Sequence, residues 1–547
     1  MSQRKPDLKN SLLLVITLLF FVFYLVCHSL QKKLIDNDSC LWINYGLQLF
    51  QGNLESFRFI ADAPPYSPLV YAPGYPFLIG LVHLLFRNPV VSAHLVSMIA
   101  GALLLLVVFR LATELFDETI GLIALLLCGV YTQLVTYALS ALQPSTVTLF
   151  LALSAYFFML SLKRKGGTYP LLAGLTAGIA VLTRFELALY AILFAGLYAW
   201  RILRKKGRFK SLVLYGISVA LVYALYAVPL YLNSGFKVIS PYIGEKILSS
   251  DIPDKPNINY ENYLKLDLSA RALLFNKNTA SSISLSKQNR VRASPEDWGK
   301  QGHEKDRNPS QNQGIARNYN IFLKSLFPKL FRFYLVPFLL FGAAFCYRQK
   351  NSSSWILFSL IFVTLVFFPM GNVDTPRYYM QIVPFLLIIA SCGIFYSASI
   401  LKNIIGGRWI LPVLVSIILG AYVINDVRNV IPFYSDQERV WLKTAEYLQN
   451  HAPENSIVMA RKHHPAFYSG LRTSILPDEQ NLNDVWEYAA FIGADYLVID
   501  RHLTARLMPQ YKDLLEDHLP PCLEIAQELF AGTDYQTRIF KFRKQNS

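Results

Sequence analysis

The chain has 547 residues, 53% of them hydrophobic and only 16% charged, where an average soluble domain carries roughly 25% charged residues. Repeated apolar runs of near-spanning length mark a polytopic membrane protein, which excludes a cytosolic enzyme, a secreted disulfide scaffold and a disordered tail. The net charge of +16 sits largely in short loops beside those runs, where it signals topology and not a nucleic-acid partner.

The first apolar run, 11–30, follows Arg4, Lys5 and Lys9. It is too long for the apolar core of a signal peptide, and no small-residue cleavage site follows, so it reads as a retained helix. Further spans are predicted at 90–110, 119–137, 145–162, 169–183, 185–200, 211–232, 328–347, 354–370, 377–400 and 409–425, which makes about eleven. The apolar stretch 69–86 contains Pro68, Pro73, Gly74 and Pro76, which argue against one continuous helix, so an interfacial or re-entrant element is expected there. With the N-terminus in the cytosol, the inner segments hold clusters such as Lys163–Lys165 and the basic run 201–210, whereas the short outer turns carry only Arg184. That bias fixes the orientation and constrains the count. Cys27, Cys128, Cys346 and Cys392 lie in apolar runs and act as small hydrophobes. Spacing alone establishes no bridge between Cys40 and Cys522.

Three longer segments fall outside: 31–89, 233–327 and 426–547. Within the second, 276–316 has almost no apolar periodicity and is expected to be flexible. The third reads as a small α/β domain, with helices at 438–450 and 482–492, strands at 456–460 and 495–500, and a closing hairpin over 523–542. His463 and His464 are expected at its surface. The sequence therefore predicts an α-helical polytopic membrane protein over 1–425 and a small extracytoplasmic α/β domain over 426–547.

Ionisable groups at the ends of spans are costly unless used, and four outer positions stand out. Asp36 and Asp38 follow the first span, and such a carboxylate pair suits general-base work or a cation. The stretch 71–77 is a proline-fixed aromatic bend. Thr183-Arg184-Phe185-Glu186 and Thr375-Pro376-Arg377-Tyr378-Tyr379 each offer an outer arginine, whose fork matches a phosphate. Each also has a plain reading: a solvated loop start, a surface turn, or cations reaching lipid headgroups.

The order and common sidedness of these features resemble the GT-C membrane glycosyltransferases that use polyprenyl-phosphate sugars, near the bacterial proteins similar to protein O-mannosyltransferases and to the aminoarabinose transferase of lipid A. Asp38-Ser39-Cys40-Leu41-Trp42 through Gly52 looks like the family's first outer loop. Ala72–Pro76 looks like its proline-rich stretch, Thr183–Glu186 like its Thr-Arg-x-Glu turn, and Arg377-Tyr378 through Pro384 like its late helix. The resemblance implies a GT-C fold and transfer of a sugar from polyprenyl phosphate to a hydroxyl of a lipid, glycan or protein, with inversion. It places the protein in a bacterial inner membrane, acting on the outer face. Asp38 would be the base, with Asp36 sharing the role. Arg377 or Arg184, with Tyr378, would take the donor phosphate, and Tyr75, Glu186 and Gln143 would position substrate. Gln143 stands where many relatives are expected to carry an acidic residue, so no metal ligand is assigned and a divalent cation is left open as cofactor.

Two other classes fit the same spans. A transporter or flippase of envelope lipids would show charges near mid-span and symmetric halves, which the sequence lacks. A non-catalytic assembly protein of the envelope would use the C-terminal domain for binding and have no need of Asp38.

Overall fold

The computed structural model describes residues 8–30, 34–51, 72–234, 333–348, 354–370, 376–430, 435–476, 482–516 and 519–543. Nearly all of the expected outer loop 233–327, including the stretch 276–316, lies outside them. The described residues divide into two compact units, one up to residue 430 and one from residue 435.

The first unit is helical. Helices lie at each of the eleven predicted stretches. Among the described residues, six are long and apolar enough to cross a membrane unaided. They are α1 (Leu8–Leu30, of which Leu12–Leu30 qualifies), α4 (Pro89–Leu115), α7 (Pro144–Lys163), α9 (Ala188–Leu203, with the 3-10 turn before it), α10 (Phe209–Ser234) and α13 (Val383–Ile405, with the turn before it). The predicted span 119–137 is broken into α5 (Glu118–Val130) and α6 (Thr132–Leu139), bent by 59°. Tyr131 between them is extended, at φ −66° and ψ 111°. Shorter apolar helices occupy the other predicted stretches: α8 (Thr168–Thr183), α11 (Val336–Arg348), α12 (Ser354–Met370) and α14 (Ile410–Val430).

Proline sets the start of two helices. In the stretch 69–86, where an interfacial or re-entrant element is expected, α3 (Gly74–Phe86) begins only after Pro73. Pro73 caps it and Pro76 falls in its first turn, where the missing N–H breaks no helical bond. Likewise, the span predicted from 377 becomes helical only at Val383, because Pro384 sits in the first turn of α13 and the residues before it form two 3-10 turns.

Between helices in lipid there is little hydrophobic drive, so close approach and packing hold the bundle. Glycines allow it at the α11–α13 crossing. A Cβ on Gly393 would lie 1.8 Å from the Phe338 carbonyl oxygen, and one on Gly342 would lie 1.9 Å from that of Ile389. Small polar residues add bonds across helices, as where Ser154 donates to the Ala173 carbonyl at 3.1 Å.

The second unit is an α/β domain. Helix α15 (Asp436–His451) starts at a capping box in which Ser435 and Glu438 satisfy each other's backbone N–H groups. Five strands follow: β1 (Ile457–Ala460), β2 (Arg472–Ile475), β3 (Tyr496–Asp500), β4 (Leu523–Leu529) and β5 (Thr537–Phe542), in the order β2-β1-β3-β5-β4. The first three are parallel and the β4–β5 pair is an antiparallel hairpin. Helices α16 (His464–Ser469) and α17 (Leu482–Ile492) make the crossovers. Met459, Leu497, Ile499, Val485 and Phe540 fill the core. His463 and His464, expected at the surface, are buried at 1% and 3% exposure. The His464 ring stacks on Trp441 at 4.4 Å, and His463 Nδ1 lies 3.3 Å from the Thr473 hydroxyl. The strand end turns directly into α16, which folds both rings inward.

Candidate functional site

The candidate site is assembled in the first unit from three helix breaks. The first is the start of α2 (Asn37–Phe50). Asp36 is its N-cap residue, in extended conformation, and Asp38 lies in the first turn, where the helix dipole favours a carboxylate. Neighbouring Ser39 is fully buried and donates to the Ala141 carbonyl at 2.7 Å, which ties α2 to the segment between α6 and α7. Behind it, Gly46 packs on the Pro76 carbonyl, where a Cβ would approach to 2.4 Å. That contact holds α2 against α3.

The second break is the end of α8. Arg184 leaves the helix in extended conformation, and Phe185–Leu187 make a 3-10 turn before α9. The proline-rich stretch supports this turn: Gly74 at the start of α3 lies so close to the Leu182–Thr183 backbone that a Cβ would meet it at 2.8 Å. Arg184 and Glu186 are buried, at 5% and 8% exposure, and pair at 3.4 Å. The reading of Arg184 as a cation reaching lipid headgroups is therefore overturned.

The third break is the 3-10 segment before α13. It carries Arg377 and Tyr378, and it is fixed from below by Gln381, whose amide donates to the Tyr190 oxygen at 3.0 Å. Tyr190 in turn bonds Thr364 of α12.

These breaks meet. Arg377 donates to the Asp38 carboxylate at 2.5 Å, across 339 positions of sequence. Both side chains are about a third exposed, at 29% and 34%. The Tyr378 ring lies beside them. The Arg184 guanidinium carbon stands 3.7 Å from its centre and that of Arg377 stands 5.4 Å away. Burial opposes the Arg377 charge, but Asp38 and Tyr378 outweigh it and raise the guanidinium above its ordinary range. Asp38, Arg377, Tyr378, Arg184 and Glu186 thus form one connected cluster. Its existence requires the ends of α1, α8 and α12 that the sequence assigns outside to share one side.

The remaining expected residues lie around or behind it. Gln143 is half-buried at the N-terminus of α7, two residues past the carbonyl held by Ser39. Tyr75 is fully buried, with its hydroxyl 3.0 Å from Ser97 of α4, so it lies in the seam between α3 and α4. Tyr137 was missed by the sequence reading. It lies on α6 within electrostatic reach of Arg377, Asp36 and Arg184, and its position in an apolar run gave no motif to find it by. Asp38 is taken by a guanidinium, and among the described residues no three His, Cys, Asp or Glu side chains are grouped to hold an ion. Neither Cys40 nor Cys522 is in a disulfide, and the Cys40 thiol donates to the Asp36 carbonyl at 3.8 Å.

Residues 68–231 match the family model described as dolichyl-phosphate-mannose-protein mannosyltransferase. No curated protein matches the chain significantly in sequence. Among solved structures, the chain resembles the oligosaccharyltransferase AglB of Archaeoglobus fulgidus in complex with an inhibitory peptide and a dolichol-phosphate. That match has 15% identity and a TM-score of 0.57, over 99% of this chain and 75% of that one. It also resembles ArnT from Cupriavidus metallidurans bound to undecaprenyl phosphate, with 10% identity and a TM-score of 0.57 over 98% of each chain. A third is the arabinofuranosyltransferase AftD from Mycobacteria, with 12% identity and a TM-score of 0.51 over 97% of this chain and 42% of that one. At these identities the likeness is one of fold, and the fold is that of the GT-C membrane glycosyltransferases. The resemblance read from the sequence stands, both in the family match and in the structures.

Proposed function

We propose that this protein is a membrane glycosyltransferase that moves a sugar from a polyprenyl-phosphate donor to an acceptor hydroxyl on the outer face of a bacterial inner membrane. The observation that carries the reading is the Asp38–Arg377 pair: a carboxylate and a guanidinium, both partly exposed, brought together from positions 339 residues apart in the sequence. A base for the acceptor and a cation for the leaving phosphate are the two groups such a transfer requires.

Asp38 accepts the proton of the acceptor hydroxyl as its oxygen bonds to the sugar C1. The bond from C1 to the phosphate oxygen breaks on the opposite side, and the polyprenyl phosphate departs with the added charge on Arg377. One base and one displacement give inversion. In the resting protein the two groups neutralise each other. A donor phosphate competes with Asp38 for the guanidinium, and the carboxylate is released toward the acceptor when the phosphate takes it. The base is thereby coupled to donor binding. Asp36, at the cap of the same helix, orients the acceptor.

The test is a transfer assay in membranes carrying wild type, Asp38→Asn or Arg377→Ala at equal protein level, given radiolabelled polyprenyl-phosphate sugars, with lipid, glycan and protein fractions followed. Loss of label transfer in both variants is expected. Transfer that survives Asp38→Asn would remove Asp38 as the base, and absence of transfer by wild type with every donor and acceptor fraction would contradict the enzyme reading.

A further inference from the structure

Arg184 has the charge to bind a phosphate, yet its surroundings leave it little freedom to do so. It is 5% exposed, its charge is already paired with Glu186 at 3.4 Å, and its guanidinium carbon stands 3.7 Å from the centre of the Tyr378 ring. That distance is well inside the roughly 6 Å within which a guanidinium is attracted to an aromatic face. Tyr378 is itself buried at 6% exposure, and the Arg377 guanidinium carbon is 5.4 Å from its ring centre. Charge and packing therefore run in a line: Glu186 fixes Arg184, Arg184 fixes the Tyr378 ring, and the ring borders the partly exposed Arg377.

We infer that Arg184 is a positioning residue for the donor phosphate and acts through Tyr378, touching no substrate itself. The inference rests on the donor reading above and assigns the two arginines different work. Arg377 is the cation that meets phosphate. Arg184 preorganises it, and Glu186 cancels the buried charge so that the second arginine adds stacking without adding repulsion to the first. A flat guanidinium is required, because an ammonium cannot lie against a ring in the same way. The proline-rich stretch takes part indirectly: Gly74 against Leu182 and Thr183 sets where the turn carrying Arg184 begins.

The experiment measures binding of undecaprenyl phosphate to the full-length protein in lipid nanodiscs, so that its readout is separate from turnover. Four proteins are compared: wild type, Arg184→Lys, Tyr378→Leu and the double variant. Arg184→Lys keeps the charge beside Glu186, so the fold is retained, and the thermal midpoint of each variant checks this. Each single variant is expected to weaken binding about ten-fold, or about 1.4 kcal/mol, and the double variant to weaken it no further, because both changes remove the same support. Additive losses in the double variant would show that Arg184 meets the phosphate independently and would overturn the inference, as would unchanged binding in Arg184→Lys. Failure of the wild type to bind undecaprenyl phosphate would instead overturn the donor reading, and this inference with it.

Discussion

Replacing Asp38 by Asn separates binding from chemistry. In the resting protein the donor phosphate must displace Asp38 from Arg377, which it grips at 2.5 Å. The pair is 29% and 34% exposed, so its strength falls above the roughly 0.2–1 kcal/mol of fully exposed pairs and below that of a buried charge-assisted bond, about 1.5–3 kcal/mol. A competition of about 1–2 kcal/mol is relieved when the carboxylate becomes an amide. Undecaprenyl phosphate should then bind about 5- to 30-fold more tightly. Transfer should fall about 10²- to 10⁴-fold, the usual scale for losing a general base. The two effects have opposite signs, which a residue serving only stability does not produce. Titration of lipid phosphate into nanodiscs, beside a single-turnover transfer assay on the same preparation, measures both. Weaker binding in Asp38→Asn, or transfer at the wild-type rate, would refute the reasoning.

Other perturbations follow from the same contacts. Arg377→Lys keeps a point charge but loses the fork, so the donor KM should rise roughly ten-fold, equivalent to about 1.4 kcal/mol, with a larger rise in Arg377→Ala, both read by steady-state kinetics. Glu186→Ala leaves the buried Arg184 charge uncompensated and should cost about 3–5 kcal/mol, seen as a lowered thermal midpoint. The double variant Glu186→Gln with Arg184→Met should recover most of that loss. Tyr75→Phe removes a buried hydroxyl bonded to Ser97 and should cost about 1 kcal/mol of stability while leaving the donor KM unchanged. Gly393→Ala drives a methyl into the Phe338 carbonyl and should destabilise the α11–α13 crossing by about 3 kcal/mol, visible as loss of monodisperse protein in detergent.

The helices were legible because each is an apolar run bounded by charge or proline, and their approximate positions needed nothing more. Their exact starts were less so. Pro76 reads as a helix breaker but sits in the first turn of α3, where proline costs nothing, and Pro384, inside the predicted span 377–400, instead falls in the first turn of α13. The site was legible as four motifs on one side, because a carboxylate or arginine at a span end stands out against lipid. What the residues around each motif did not carry is the long-range pairing. Nothing near Asp38 specifies a partner 339 positions away, and nothing in Thr183–Glu186 says that Arg184 is buried and paired within its own turn. Tyr137 was invisible for the converse reason, since a tyrosine in an apolar run looks like packing. In the second unit, β2 has a single apolar residue in Arg472–Ile475, and its strand state comes from parallel pairing with β1. The burial of His463 and His464 likewise depends on where Trp441 and Thr473 fall.

The central claim is that a polyprenyl-phosphate sugar is the donor. The direct measurement is single-turnover consumption of a radiolabelled undecaprenyl-phosphate sugar by purified protein in nanodiscs, with envelope lipid, glycan or protein fractions as acceptor and polyprenyl phosphate as the monitored product. The account predicts label on an acceptor, stoichiometric release of polyprenyl phosphate, and loss of both in Asp38→Asn. A wild-type protein that binds no lipid phosphate and releases none from any such donor would contradict it.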